Sequence, residues 1–133
     1  MILVDTSVLL DVLQNDPVWG AWSFEALRLA RSQDVLAIND IIFAELCARY
    51  DRIEDVDAVV NLLGLTLQQI PRPALFLAGK AFALYRSRGG ARTGVLSDFF
   101  ISAHAAIAGA TLLTRDAARV GAYFPTVEFR APD

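Results

Sequence analysis

Cysteine is almost missing from the chain: Cys47 is the only one among 133 residues. No internal disulfide can form, so the disulfide-stapled class is excluded and a reducing compartment fits. Positive charge is also scarce. Twelve Lys and Arg face fifteen Asp and Glu, a formal net charge of −3, with a pI of about 5.0. That balance does not suit a protein that coats phosphates with a broad basic surface. Long apolar runs are missing too. The longest candidate, 99–113, is broken by Ser102, His104 and Gly109, and a spanning helix needs roughly 20 apolar residues. The start, Met1-Ile2-Leu3-Val4-Asp5, lacks the basic opening and small-residue cleavage site of a signal peptide. The expectation is a cytoplasmic protein with no membrane association.

What the chain does have is apolar bulk. Hydrophobic residues make up 55% and charged residues 20%. Disorder is excluded. A chain of this length buries roughly two-thirds of the surface its unfolded form exposes, so one domain over 1–133 is expected. The apolar surplus points to partner surfaces as well as a core.

Apolar runs at 2–4, 35–38 and 111–113 read as strands, the alternation over 65–70 reads as a further one, and 127–129 as the last. Helical spacing fills the intervals 8–13, 18–32, 40–51, 54–63, 74–87 and 98–108, with a short helix at 116–120. Thr6 and Ser7, Asn39 and Asp40, and Ser97 offer N-terminal caps, and Gly64 offers a helix stop. Strands alternate with helices and are apolar throughout. That pattern predicts an α/β fold, a parallel sheet covered on both faces. In such sheets the functional site lies beyond the carboxyl ends of the strands.

Most acids read as surface residues, and Asp51, Glu54, Asp55 and Asp57 form a solvated run. Four are set differently. Asp5 ends the first strand, and Asp116 follows the fourth by two residues. Glu45 lies in Ile41-Ile42-Phe43-Ala44-Glu45-Leu46-Cys47-Ala48, and Asp98 opens Asp98-Phe99-Phe100-Ile101-Ser102-Ala103. Each has an ordinary explanation alone. Asp5, Asp98 and Asp116 lie near helix starts, where acids cap, and Glu45 has Arg49 at i+4. Jointly they point to chemistry. Buried carboxylates need compensation, and a divalent cation, Mg2+ or Mn2+, supplies it to an all-oxygen site.

These segments together resemble the PIN-domain family, in particular its VapC-type toxins. Ile2-Leu3-Val4-Asp5-Thr6-Ser7-Val8-Leu9-Leu10 is similar to the family's first motif, and Ile42-Phe43-Ala44-Glu45-Leu46 to its helix glutamate motif. Leu96-Ser97-Asp98-Phe99-Phe100-Ile101-Ser102-Ala103-His104-Ala105 resembles a motif of one toxin subgroup, with Ser97 where many relatives carry proline. Leu112-Leu113-Thr114-Arg115-Asp116 resembles the last acidic motif, and Tyr123-Phe124-Pro125 the subgroup's tail. The resemblance implies a three-layer α/β/α PIN-like fold. It further implies an Mg2+-dependent endoribonuclease toxin of a toxin–antitoxin pair, with Mn2+ as an alternative ion. Asp5, Glu45, Asp98 and Asp116 would be the catalytic, metal-holding carboxylates, and Thr6 and Thr114 would orient them. The implied partners are an RNA substrate, a cognate antitoxin and a second copy of the chain in a homodimer.

An acidic chain still has to hold RNA. Arg86, Arg88 and Arg92 lie in or beside a glycine-rich loop without acids, and Arg115 and Arg119 flank the last motif. Arginine forks suit phosphate, so Arg86, Arg88, Arg92 and Arg115 are candidate phosphate contacts; a merely solubilising loop is the competing reading. Trp19 and Trp22 suit core packing or a partner groove. His104 falls roughly 240° round a helix from Asp98, which makes it structural, whereas Ser102 falls beside Asp98. Cys47 reads as a small core residue.

Other readings fit less well. A haloacid-dehalogenase-type site would need a second aspartate two residues after Asp5, where Ser7 stands. A phospho-receiver would need a lysine near the last strand, but the only lysine is Lys80. A PIN ribonuclease that matures RNA without an antitoxin, and a non-catalytic RNA-binding or assembly module, remain alternatives.

Overall fold

The computed structural model describes residues 1–91 and 94–133. Strand β1 (Ile2–Val4) leads into α1 (Thr6–Leu13) and α2 (Gly20–Gln33). Strand β2 (Leu36–Asn39) leads into α3 (Asp40–Cys47) and α4 (Ile53–Leu62). Then come β3 (Thr66–Gln68), α5 (Arg72–Ser87), α6 (Leu96–Ala108), β4 (Thr111–Leu113) and β5 (Phe129–Arg130). Two 3-10 turns, Ala117–Arg119 and Gly121–Tyr123, separate the last two strands.

The five strands form one parallel sheet in the order β3-β2-β1-β4-β5. Strand β1 is central, with Leu3 opposite Ala37 on one side and Leu112 on the other. Ile2, Leu3 and Val4 are at most 2% exposed. Residues alternate between the two faces of a strand, so both faces of β1 are covered. This is the three-layer α/β/α arrangement that continuous apolar runs predict.

Two apolar clusters hold the helices in place. One joins β1, β2 and β4 to α1, α2, α3 and α4 through residues such as Leu3, Leu9, Leu27, Ile42, Leu46 and Val56. The other packs α5 against α6 and the 3-10 turns around Phe99, which is fully buried. The rings of Phe82, Tyr85, Tyr123 and Phe124 surround Phe99 at centroid distances of 5.5 to 5.7 Å. The edge-to-face contacts with Phe82 and Phe124 add to the area they bury.

Helix ends depart from the sequence expectations in instructive ways. The N-cap of α1 is Asp5 itself rather than Thr6 or Ser7, so a single residue joins the strand to the helix. Asn39 caps α3, its Oδ1 accepting from the backbone N–H of Ile41 and Ile42 at 3.1 and 3.0 Å. Helix α3 stops at Cys47 rather than near Asp51. Ser97 caps nothing: α6 starts at Leu96, with Val95 in the cap position and no side-chain cap bond. The expected helix at 116–120 is one 3-10 turn, and β5 lies at 129–130 rather than 127–129. Gly64 and Gly109 follow α4 and α6 at φ +67° and +64°, a conformation glycine adopts without steric cost.

Candidate active site

Asp5 leaves the carboxyl end of β1, and β4 lies beside it. The sheet ladder runs one residue further here, with the Asp5 N–H donating to the Leu113 carbonyl at 2.9 Å. The Asp5 carboxylate is fixed at both oxygens. Oδ1 accepts from the Thr6 N–H at 2.9 Å. Oδ2 accepts from the Ser7 hydroxyl at 2.9 Å and the Thr114 hydroxyl at 2.8 Å. Thr114, 5% exposed, in turn accepts from the Asp116 N–H at 3.1 Å. One hydroxyl therefore ties the acid after β1 to the backbone of the acid after β4.

Glu45 comes in from α3 and accepts from the Thr6 hydroxyl at 2.7 Å. That bond links it to the α1 side of the site. Burial pushes its carboxyl above the ordinary range; the Thr6 bond opposes this, and the charges of Asp5 and Asp98 add to it. Asp98 stands in the first turn of α6, next to the buried Phe99. Its carboxyl is also raised, by burial first and by Asp5 next, while Arg119 pulls it back down. These mutual effects bring Asp5, Glu45, Asp98 and Asp116 into one electrostatic neighbourhood, drawn from β1, α3, α6 and the β4 loop. Asp5, Asp98 and Asp116 share a small depression with Ser102 and Thr114, floored by apolar residues including Ile101 and Leu112. Its free volume is about 10 Å³, close to that of one water-sized sphere.

The donor set suits a hard divalent cation. It is all carboxylate and hydroxyl oxygen, and it carries repulsion that a cation would relieve. As placed, no three acid, histidine or cysteine side chains among the described residues converge into a metal shell. Among the described residues, Arg119 brings a positive charge to the acids. Arg119 Nη1 lies 3.2 Å from Asp98 Oδ2, and Nη2 lies 3.9 Å from Asp116 Oδ2.

The candidate arginines separate. Arg115 turns inward: its Nε is 3.2 Å from Asp11 Oδ2, and its guanidinium lies over the Trp19 ring at 5.6 Å. Asp11 also accepts from the Ser23 hydroxyl at 2.7 Å and is buried. Asp11 competes with any phosphate for this guanidinium, which keeps 29% exposure. Arg86 and Arg88 are exposed at the end of α5, Arg88 over the Tyr123 ring at 6.0 Å. Arg92 lies outside the described residues.

Trp22 packs on the first core cluster. His104 is 3% exposed and its Nδ1 meets the Asn39 amide at 3.1 Å. Burial pushes the imidazole below its ordinary range. Cys47 packs at the edge of the first cluster. Two residues named from the sequence in other roles, Ser7 as a cap and Arg119 as a flanking arginine, contact the acids directly. Ser7 bonds Asp5 and also accepts from the Arg115 N–H at 3.3 Å. Arg119 reaches back to the acids, and its i+3 spacing from Asp116 was the available signal.

A family model described as PIN domain matches residues 2–121. No curated protein sequence matches the chain. Among solved structures, VapBC2 from Rickettsia felis bound to a promoter DNA fragment is similar at 19% identity and a TM-score of 0.74, covering 100% of each chain. VapBC-1 from nontypeable Haemophilus influenzae gives 19% identity and 0.73, covering 98% of each. DNA-bound VapBC from Salmonella typhimurium gives 21% and 0.70, covering 98% of this chain and 96% of that one. At these identities the likeness is one of fold. The family match spans nearly the whole sequence and includes all four acids of the site, and on that match the chain belongs to the PIN domain family.

Proposed function

We propose that this PIN domain is an Mg2+-dependent endoribonuclease acting as the toxin of a toxin–antitoxin pair. The observation that carries this reading is that Asp5, Asp98 and Asp116 line one depression at the carboxyl edge of the sheet, with Glu45 bonded to Thr6 next to Asp5. PIN domains are nucleases, and carboxylates able to hold a divalent ion suit hydrolysis of a phosphodiester. Asp5, Glu45, Asp98 and Asp116 would hold the ion, Mg2+ or Mn2+. A bound divalent ion supplies an activated water near neutral pH and offsets charge on the scissile phosphate.

The protein's own contribution is positioning. Asp5 is held by three hydrogen bonds, so it presents its carboxylate with little rotational freedom. Thr6 orients Glu45, and Thr114 sets the distance between Asp5 and the loop carrying Asp116. Hydroxyls behind carboxylate ligands typically matter by 10- to 100-fold in metal affinity or activity. His104 is buried against Asn39 and takes no part.

RNA as the substrate rests on the resemblance to the VapC-type toxins. The antitoxin reading is supported by the VapBC complexes among the structural neighbours and by exposed apolar side chains. Val18, Phe24 and Leu62 are 74%, 57% and 75% exposed, which suits a protein partner. Phe76 on α5, 69% exposed, suits a second copy in a homodimer. No helix is long and apolar enough to cross a membrane among the described residues, and we assign a cytoplasmic location.

The test is cleavage of a mixed RNA pool by purified protein, with Mg2+ and with EDTA, beside Asp98→Asn. Discrete cuts lost in both EDTA and the variant are the expected result. Wild type and variant equally inert across several metals would overturn the catalytic reading and favour a binding module. Mass spectrometry of material co-purified from the native host tests the antitoxin reading.

A further inference from the structure

The acid cluster carries its own cation, and the geometry of that contact is loose. A charge-assisted N–H to carboxylate bond runs about 2.7–2.9 Å. The two Arg119 contacts are 3.2 and 3.9 Å, one nitrogen to each acid, and the Arg119 side chain is 36% exposed. Arg119 also sits in the same short turn that follows Asp116, so it moves with one of the acids it touches. A guanidinium and a divalent ion cannot both occupy the inner side of Asp98 without repelling each other at close range.

We propose that Arg119 is an exchangeable resident cation: it holds Asp98 and Asp116 while no divalent ion is bound, and an incoming ion displaces it. This rests on the metal site proposed above. Sharing Asp98 makes the two cations competitors, and linkage makes the competition reciprocal. Arg119 therefore lowers the affinity of the ion and in exchange partly offsets the repulsion among the acids of the ion-free site. Once displaced, it remains tethered at the mouth of the site, where a negatively charged substrate would arrive.

The experiment is a Mn2+ titration, followed by electron paramagnetic resonance of free Mn2+ and by calorimetry, on wild type, Arg119→Gln, Arg119→Lys and Asp98→Asn at fixed ionic strength. Thermal unfolding of the same proteins in EDTA and in Mn2+ runs alongside. Arg119→Gln is expected to bind Mn2+ tighter than wild type by about 2- to 5-fold, the span that release of a partly exposed ion pair can give. It should also melt lower in EDTA and gain more from Mn2+. Arg119→Lys keeps the charge and should stay near wild type in both measurements. Equal or weaker Mn2+ binding by Arg119→Gln, with wild type binding normally, overturns the role of Arg119 and leaves the metal site standing. Absence of binding in all four proteins, or binding that survives Asp98→Asn, overturns both.

Discussion

Arg115 and Arg119 lie one turn apart in the chain and meet opposite fates. Arg115 faces Asp11, whose side chain is 5% exposed, and is roofed by Trp19. Arg119 faces Asp98 and Asp116, whose side chains are 26% and 46% exposed. The first pair fastens the β4 loop to the α1–α2 hairpin, because Asp11 is also bonded to Ser23 of α2. The second pair spans the mouth of the acid site. What separates them is desolvation. A buried ion pair is hard to break because the partner left behind has no water. An exposed pair contributes little because water and salt substitute readily for either member.

The largest effect on stability should therefore come from the Arg115 side. Asp11→Ala strands the guanidinium beside Trp19 and leaves Ser23 without its acceptor. The expected loss is about 3 kcal/mol, the low end for breaking a buried pair because Arg115 keeps some exposure to solvent. Urea unfolding measures it, and Asp11→Leu combined with Arg115→Met should recover most of it. A loss below about 1 kcal/mol would erase the distinction between the two arginines.

Thr114 precedes Arg115 and joins the fastened region to the site. Thr114→Val keeps the shape, removes a bond to Asp5 and takes away the acceptor of the Asp116 N–H. The expected cost is about 1 kcal/mol, together with a 10- to 100-fold fall in metal affinity or cleavage. A stability loss with unchanged Mn2+ affinity would mean that Asp5 is oriented well enough by Ser7 and Thr6 alone.

Much of this was legible in the sequence, for physical reasons. Asp5 could be placed because a three-residue apolar strand has to end where its first charge begins. Glu45 and Asp98 stood out as charges within apolar helical stretches. The parallel sheet followed from strands too apolar to face water. The fates of the two arginines were not legible. They depend on a single 3-10 turn where a short α-helix was expected, and three residues carry no periodicity from which to read direction. Ser97 failed as a cap for a related reason: a helix can start without a side-chain cap when the residues after its start, here Phe99, are anchored in a core.

The pH dependence sharpens the comparison on the acid side. Glu45 and Asp98 both have carboxyls raised above their unfolded values. Between the unfolded and folded values the native state holds more protons, so stability falls as pH rises through that window. In EDTA, these two groups should make the melting temperature decline as pH rises above the ordinary carboxylate range. Surface acids lowered by their partners, such as Asp34 beside the amino terminus, act in the opposite sense. Asp98→Asn isolates the site's share: it should flatten the decline and raise the neutral-pH melting temperature by a few degrees. An unchanged slope would mean that Arg119 already neutralises the cluster.

The smallest expected effect is the stability change of Arg119→Gln in EDTA. Both members of each contact are partly exposed, so the loss should stay below about 1 kcal/mol. It should also shrink with added salt, since screening at molar ionic strength reaches within about 3 Å. The size matters in a particular way. A counter-cation worth several kcal/mol to the ion-free fold could not give way to a divalent ion without a corresponding penalty in metal affinity, whereas a weak one can be displaced. A large salt-insensitive loss would make Arg119 a second Arg115, and the two regions would then differ only in exposure. A small salt-sensitive one would leave the chain with one arginine that fastens the site and another that yields it.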